Sequence, residues 1–343
     1  MKPMLDILKE DDFRNSVEAK LKKADANYCI PQTIPPLYKY SSFSKYAIEN
    51  IIKNTISISL IASFNDSFDS TMSYGNIRKK AIEEYEWDKA FHAYYGENPL
   101  LTLEEYQERF SDLQNTDKEF LRDKYCLCLS ECNSSVLMWS HYANNNKGIC
   151  VEYDFETIKD KNPLYYSLLP MIYTSHPINV YNYTKGKYGT YSIETGLVIS
   201  LLNKSEVWKY EHEWRLFILD LGYDPRNIYI NLEPDVISAK RIILGCNFLD
   251  NFFEELSSNQ SSTDTMQQLK QLVEYAKKKS IPISIMKPLE NSFELSPQTI
   301  NNVGDIYNFI KTNIDKNRFT LNNRHMLYTK FSQLIAKQSH PTE

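Results

Sequence analysis

Trp208-Lys209-Tyr210-Glu211-His212-Glu213-Trp214-Arg215-Leu216-Phe217-Ile218-Leu219 decides how the chain is read, because it runs an acidic, aromatic stretch straight into an apolar strand pattern. In an extended chain successive side chains alternate between faces. Glu211, Glu213 and Arg215 then share one face, and Tyr210, His212, Trp214 and Leu216 share the other. An acidic pair beside a cation, backed by large aromatics, suits a site for a cationic or sugar-like group. It equally suits an ordinary strand with a salt-bridged outer face, and the run alone leaves both open. Alternation turns His212 away from the two acids, so the three cannot hold one metal ion without a bend.

The rest of the chain narrows the classes. Its 343 residues are enough to bury a large core, and 42% hydrophobic with 24% charged residues is an ordinary globular balance. A net charge of -5 argues against a broad nucleic-acid footprint. Only 9 Gly accompany 25 Tyr and 16 Phe, and no Rossmann, Walker, nucleophile-elbow or His-Glu-x-x-His pattern occurs. Cys126, Cys128 and Cys132, with His141 beyond, fit no usual zinc spacing, so small buried Cys is expected and no metal. The charged start lacks an apolar signal core, and no stretch is long and apolar enough to span a bilayer. These features read as a cytoplasmic protein with reduced thiols and no membrane partner.

Strand and helix patterns mix without a regular alternation. Leu5, Leu8, Phe13, Val17 and Leu21 predict a helix over residues 4–23, before Pro31, Pro35 and Pro36. Residues 37–40 read as a strand, Ser42 as the cap of a helix over 43–53, and 55–60 as a half-buried strand. Residues 76–124 form an inserted helical segment. At 125–130, Tyr125, Leu127 and Leu129 oppose Cys126, Cys128 and Ser130. A helix over 136–144 ends in Asn144-Asn145-Asn146 and Gly148, and a strand over 149–155 follows. Strands are expected at 168–174, 213–220, 227–232, 240–245 and 281–286, helices at 191–205 and 264–279, and mostly helix from Pro297 onward. The order favours an α+β fold with a mixed, largely antiparallel sheet and flanking helices. Three parts are expected: an N-terminal helical appendage (1–36), an α+β core (37–295) and a C-terminal helical tail (296–343).

Several clusters carry chemistry, each beside a plainer alternative. Tyr38 and Tyr40 share a strand face, as aromatic packing or as a pocket wall. Phe64-Asn65-Asp66-Ser67-Phe68-Asp69 is a turn closed by its own Asn and Asp, or a source of ligand contacts at a strand end. On the helix of Met138-Trp139-Ser140-His141-Tyr142-Ala143, His141 is a packed histidine or a functional one. Glu152 and Asp154 are solvated outer-face acids, or hold Mg²⁺ with Asp66 and Glu213 as a nuclease does.

Taken together the segments resemble a bacterial family known only as domain of unknown function 2971. The resemblance rests on Tyr38-Lys39-Tyr40, Phe64-Asn65-Asp66-Ser67-Phe68, Cys128-Leu129-Ser130, Met138 to Ala143 with Lys147-Gly148, Lys204 with Trp208 to Arg215, and Ile243-Leu244-Gly245. Ser67 stands where the family usually has Pro, and the likeness covers roughly residues 37–295.

In motif order the chain also resembles ADP-ribosyltransferases, with an aromatic or basic residue on the first strand, a Ser or Tyr in the middle and a Glu-x-Glu before a late strand. That resemblance implies a split antiparallel sheet and NAD as substrate. Glu213 and Glu211 would be catalytic, together with His141 and Tyr142. Glu213 would hydrogen-bond the ribose and stabilise an oxocarbenium-like state, and Glu211 would orient or deprotonate the acceptor. Tyr38, Tyr40 or Trp139 would stack on nicotinamide, Arg215 or Lys39 would meet the pyrophosphate, and Asn65, Asp66 and Ser130 would complete the NAD contacts. The acceptor would be a protein or nucleic acid, and the protein an intracellular toxin or phage-defence effector. Two other functions stay open: a non-catalytic ligand-sensing or partner-binding protein, and the metal-dependent nuclease or phosphodiesterase. On this reading Glu213→Gln removes activity and leaves stability near wild type.

Overall fold

The computed structural model describes residues 11–22, 25–66, 68–70, 77–99, 101–108, 125–159, 162, 164–178, 200–218, 229–231, 237–257 and 263–339. Ser67 and the parts of the expected elements at 4–10, 109–124, 191–199, 219–220, 227–228 and 232 lie outside these residues.

The chain begins with α1 (Asp11–Leu21), β1 (Leu37–Ser41) and α2 (Lys45–Lys53). Ser44, and not Ser42, caps α2: its Oγ accepts from the Ala47 N–H at 3.3 Å. The expected strand over 55–60 divides at Ile58 into β2 (Thr55–Ser57) and β3 (Ser59–Leu60), which serve different sheets. The insertion contains α3 (Ile77–Tyr94) and a second helical stretch at 103–108. Then come β4 (Tyr125–Ser130), α4 (Val136–Tyr142) and β5 (Ile149–Tyr153).

The expected strand over 168–174 also divides, into β6 (Leu168–Pro170) and β7 (Ile172–Thr174). Pro170 has no N–H to continue a ladder, and the Met171 N–H instead donates to the Glu213 carbonyl at 2.9 Å. The helix expected to reach residue 205 stops at 202, and β8 (Asn203–Ser205) follows, parallel to β7. Then come β9 (Glu213–Ile218), β10 (Tyr229–Asn231), β11 (Ala239–Leu244), α5 (Asp250–Ser257), α6 (Thr263–Lys279) and β12 (Ile283–Pro288). The helical reading from Pro297 is corrected at its start by β13 (Leu295–Ile300), an edge strand where Pro is tolerated. The chain then continues into α7 (Val303–Asp315) and α8 (Arg324–Ser339).

The fold is α+β. Its main sheet runs β13-β12-β11-β5-β1-β4-β9-β6, with β3 added beside β4. Within this sheet, among the described residues, only the β11–β12 pair is parallel, bridged by α5 and α6. One face carries the main core, with Leu37, Leu127, Val151, Trp214 and Ile242 packed under helices that supply Ile48, Leu272, Ile310 and Phe331. α7 and α8 thus bury side chains in the same core as the sheet. α1 packs Val17 and Leu21 into a smaller cluster with Leu169, Met171 and Leu202.

The feature that positions the site is a seam. β1 pairs with β5 from Leu37↔Tyr153 to Ser41↔Ile149, and β4 pairs with β9 from Tyr125↔Ile218 to Ser130↔Glu213. Between them β1 and β4 meet at one register pair, Tyr38↔Ser130. Lys39 reaches across the opening, its Nζ donating to the Cys128 carbonyl at 3.2 Å.

Beside the seam the tip of α4 is held by backbone. Asn144, Asn145 and Asn146 take positive φ of 47°, 54° and 66°, conformations Asn tolerates better than most residues. A Cβ on Gly245 would lie 2.0 Å from the Asn146 carbonyl oxygen, and one on Gly148 would lie 2.2 Å from the Ser41 carbonyl oxygen. The Gly245 N–H donates to the Gly148 carbonyl at 2.9 Å, so both glycines are set by backbone crossing backbone.

Candidate functional site

On the second face of the sheet the seam opens into a pocket of about 380 Å³, within the range of small-molecule sites. Tyr38, Lys39 and Tyr40 of β1 form one wall, Cys128 and Ser130 of β4 another, and Met138, His141 and Tyr142 of α4 a third. Phe64 and Asn65, after β3, stand at its edge. Its floor is ionic: Glu211, Glu213, Arg215, Lys204 and Asp69.

The local backbone that delivers the two acids differs from a continuous strand. Glu206–Glu211 is a 3-10 turn, His212 takes a left-handed φ of 43°, and β9 starts only at Glu213. The alternation nevertheless places the acids on one side. His212 is exposed, Trp214 and Leu216 enter the main core, and Glu211, Glu213 and Arg215 turn inward.

These charges are not solvated. Glu211 is 2%, Glu213 5% and Arg215 0% exposed. Arg215 Nε donates to Glu213 Oε1 at 2.7 Å, and Nη2 to Glu213 Oε2 at 3.2 Å. Nη1 and Nη2 also grip both oxygens of Asp69, at 2.7 and 2.6 Å. Nη1 further reaches the Leu201 carbonyl at 2.8 Å and Ser70 Oγ at 3.1 Å. The guanidinium is thereby satisfied on every nitrogen. Lys204 is the second hub: its Nζ donates to Glu211 Oε2 at 2.6 Å and Glu213 Oε2 at 2.9 Å, and lies 3.5 Å from Asp69 Oδ2. Its ammonium also stands 5.3 Å from the centre of the Trp208 ring.

The two acids diverge. Burial pushes the Glu213 carboxyl up, but Arg215 and then Lys204 outweigh it and hold the group down at about 2. For Glu211 burial wins: its carboxyl is raised, opposed by Lys204 and reinforced by the charge of Glu213. Its free oxygen, Oε1, accepts the Tyr142 hydroxyl at 2.7 Å. Burial and the Glu211 charge raise the Tyr142 phenol in turn, so Tyr142 stays a neutral donor.

Of the residues expected to contact a ligand, Tyr38, Lys39, Tyr40, Asn65, Ser130, Arg215, Glu211, Glu213, His141 and Tyr142 all line this one pocket. Several have hydrogen bonds that limit what they can do there. Arg215 has no nitrogen left for a pyrophosphate, which corrects that expectation. Ser130 Oγ donates to the Glu211 carbonyl at 2.5 Å and accepts from the Cys132 N–H at 3.0 Å, pinning the acidic turn to β4. The Tyr40 hydroxyl donates to the Cys132 carbonyl at 2.7 Å, and its ring packs edge-on against Trp139. His141 is exposed at the mouth, its ring 6.4 Å from that of Trp208.

Two expected contacts fall outside the pocket. Trp139 is 0% exposed, with its Nε1 bonded to the Asn133 carbonyl at 2.6 Å, so it cannot stack on a ligand. Asp66 Oδ1 accepts from the Phe68 N–H at 2.9 Å and closes its turn. The expected acids of a metal nuclease are dispersed: Glu152 pairs with Arg241 at 2.5 Å, Asp154 caps a 3-10 turn, and Glu213 is locked to Arg215. Among the described residues they form no group able to hold a metal ion.

Sequence reasoning gave Lys204 a place in a motif but no role, and it passed over Asp69. Charge balance gave no signal, because an Arg and a Lys already neutralise two Glu; donor count did, since a buried guanidinium has five donors and Glu213 meets only part of them, leaving the rest for Asp69 of the turn after β3.

Residues 138–216 match the family described as protein of unknown function (DUF2971). The matched DUF2971 segment runs from Met138 to Leu216, narrower than the span of the motif resemblance, and it contains Tyr142, Lys204, Glu211, Glu213 and Arg215. Tyr38, Lys39 and Asp69 complete the pocket from outside it. No curated protein and no solved structure matches the chain. Among the described residues no helix is long and apolar enough to cross a membrane.

Proposed function

We propose that the seam pocket binds NAD and breaks its nicotinamide–ribose bond, with Glu211 as the acid–base group. The observation that carries this reading is the pair of buried carboxylates at the floor of one aromatic-walled pocket, Glu211 held by Lys204 and Tyr142 and Glu213 by Lys204 and Arg215. Environments that push paired acids apart mark a division of roles. Glu213, held low, is a permanent anion. Together with Glu211 and Asp69 it faces two cations, which leaves a net negative floor suited to the positive charge that develops at the ribose carbon. Glu211, raised by burial, has a proton affinity suited to general base work.

In the proposed reaction the bond between the ribose C1′ and the nicotinamide nitrogen breaks, and its electron pair leaves with nicotinamide and neutralises the ring. An acceptor lone pair forms the new bond to C1′, and the acceptor proton passes to the Glu211 carboxylate. Lys204 and Tyr142 orient that carboxylate through one oxygen each. The acceptor is a protein or nucleic-acid group, and water in its place gives NAD hydrolysis. Such an activity fits an intracellular toxin or phage-defence effector.

A second reading, ligand sensing without turnover, is favoured by the interlocking of Asp69, Lys204, Glu213 and Arg215, which builds a rigid, preorganised floor. Nicotinamide release separates the two. Wild-type protein incubated with NAD and mixed protein and nucleic-acid acceptors is expected to release nicotinamide, and Glu211→Gln is not. Ligand-induced thermal stabilisation with no nicotinamide release supports the sensing protein instead.

A further inference from the structure

Lys39 belongs to two cavities. Besides the acid-floored pocket it lines a second one of about 240 Å³, enclosed by β1, β2, β5 and the start of α2. The two differ sharply in charge. The first has three carboxylates at its floor. Among the described residues the second has none: Lys39 is the only charged side chain lining it there, with hydroxyls of Ser41, Ser42, Ser44, Thr55 and Ser57.

Some of those hydroxyls are engaged, with Ser44 capping α2 and Thr55 Oγ1 donating to Asn50 Oδ1 at 3.0 Å. The side chains of Ser41, Ser42 and Ser57 make no hydrogen bond among the described residues. Lys39 has no carboxylate partner among them either; one of its three donors goes to the Cys128 carbonyl. An ammonium without a carboxylate partner among the described residues, at the seam beside a cavity edged by open hydroxyls, is suited to an anion with several acceptor oxygens.

We infer that Lys39 and this hydroxyl-lined cavity form a phosphate subsite, reached through the seam from the acid-floored pocket. The inference rests on the reading that the seam pocket holds a nucleotide, and it assigns the ligand's two ends. The ribosyl, cationic end lies over Glu211 and Glu213. The phosphates lie on the hydroxyl side of Lys39, in the cavity whose described lining holds no carboxylate. Lys39 therefore takes the role that Arg215 cannot, and it selects phosphate-bearing nucleotides over nicotinamide riboside or free sugars.

The test is isothermal titration of wild type, Lys39→Met and Lys39→Arg with ADP, inorganic pyrophosphate and nicotinamide. Met keeps most of the side-chain stem, and Arg keeps the charge. Wild type is expected to bind ADP and pyrophosphate, Lys39→Met to lose about tenfold or more in ADP affinity, and Lys39→Arg to recover much of it. Nicotinamide binding is expected to be the same in all three. Equal ADP binding by wild type and Lys39→Met, or no binding of ADP and pyrophosphate to wild type, overturns the subsite. The outcome separates from that of the proposed activity. Lys39-dependent ADP binding without nicotinamide release leaves the subsite standing and ends the enzymatic reading. Nicotinamide release with an unchanged KM for NAD in Lys39→Met does the reverse.

Discussion

The two blocks that meet at the seam bury the same face of the sheet with opposite chemistry. In the β5–β11–β12 block that face presents Cys150, Ile243 and Met286, all within 1% exposure, under Met138 and Trp139 of α4. In the β4–β9 block it presents Ser130, Glu213 and Arg215, at 1%, 5% and 0% exposure. The strand pattern is the same alternation in both, so alternation reports which residues share a face and not whether that face is dry. The apolar block is held by packing and transfer from water. The ionic block bears a desolvation penalty of several kcal/mol per ion, offset only while every partner is present.

The sharpest way to break the comparison is Arg215→Met. It leaves Glu213 and Asp69 buried with Lys204 alone of the two cations they share, and should destabilise the protein by about 3–5 kcal/mol in urea unfolding. A loss below about 1 kcal/mol would mean the ionic floor is better hydrated than its geometry implies. By the same logic Glu213→Gln is not a clean activity probe. Glu213 holds both Arg215 and Lys204, so the expectation that this substitution spares stability does not survive the structure.

Gly245→Ala probes the apolar block at its tightest point. The added Cβ would sit 2.0 Å from the Asn146 carbonyl oxygen, so backbone must move, and a loss of about 1–3 kcal/mol is expected. A neutral outcome would show the α4 tip to be adjustable.

A smaller effect separates the two acids by pH. The Glu213 carboxyl is lowered from 4.5 to about 2, so its contribution to stability is complete above 4.5 and is lost as pH falls towards 2. Glu211 has the opposite sign: its folded value is raised, so stability is lost as pH rises from 4.5 through the folded value. Glu211→Gln should therefore remove a loss that wild type undergoes on that rising side, while keeping the acid loss below 4.5. Parallel stability–pH curves for the two proteins would contradict the assignment of the raised carboxyl to Glu211.

Much of the architecture was legible in residue patterns. Val151 and Tyr153 alternate inward as read, and Leu127 and Leu129 face the core opposite Cys126, Cys128 and Ser130. What escaped depended on single residues acting at a distance. Pro170 ends β6 two residues before β7 begins, and Pro297 disguises an edge strand as a helix boundary. The likeness of motif order gathered ten of twelve site residues around one pocket, yet not their roles. Trp139 looks like a stacking platform in sequence and is a core residue in space, because its indole N–H is taken by the Asn133 carbonyl. Arg215 looks like a phosphate ligand and is consumed by Glu213 and Asp69. The role of Arg215 cannot be read without knowing that Asp69, 146 positions before it, folds back beneath it.

In the proposed reaction Glu211 takes the acceptor proton while Glu213 stays an anion and anchors the ionic floor, and nicotinamide release from NAD by wild type and Glu211→Gln tests this division most directly. Release by wild type and none above background by a Glu211→Gln protein that unfolds within about 1 kcal/mol of wild type is the predicted result. Equal release by both proteins, or none by wild type, would contradict it.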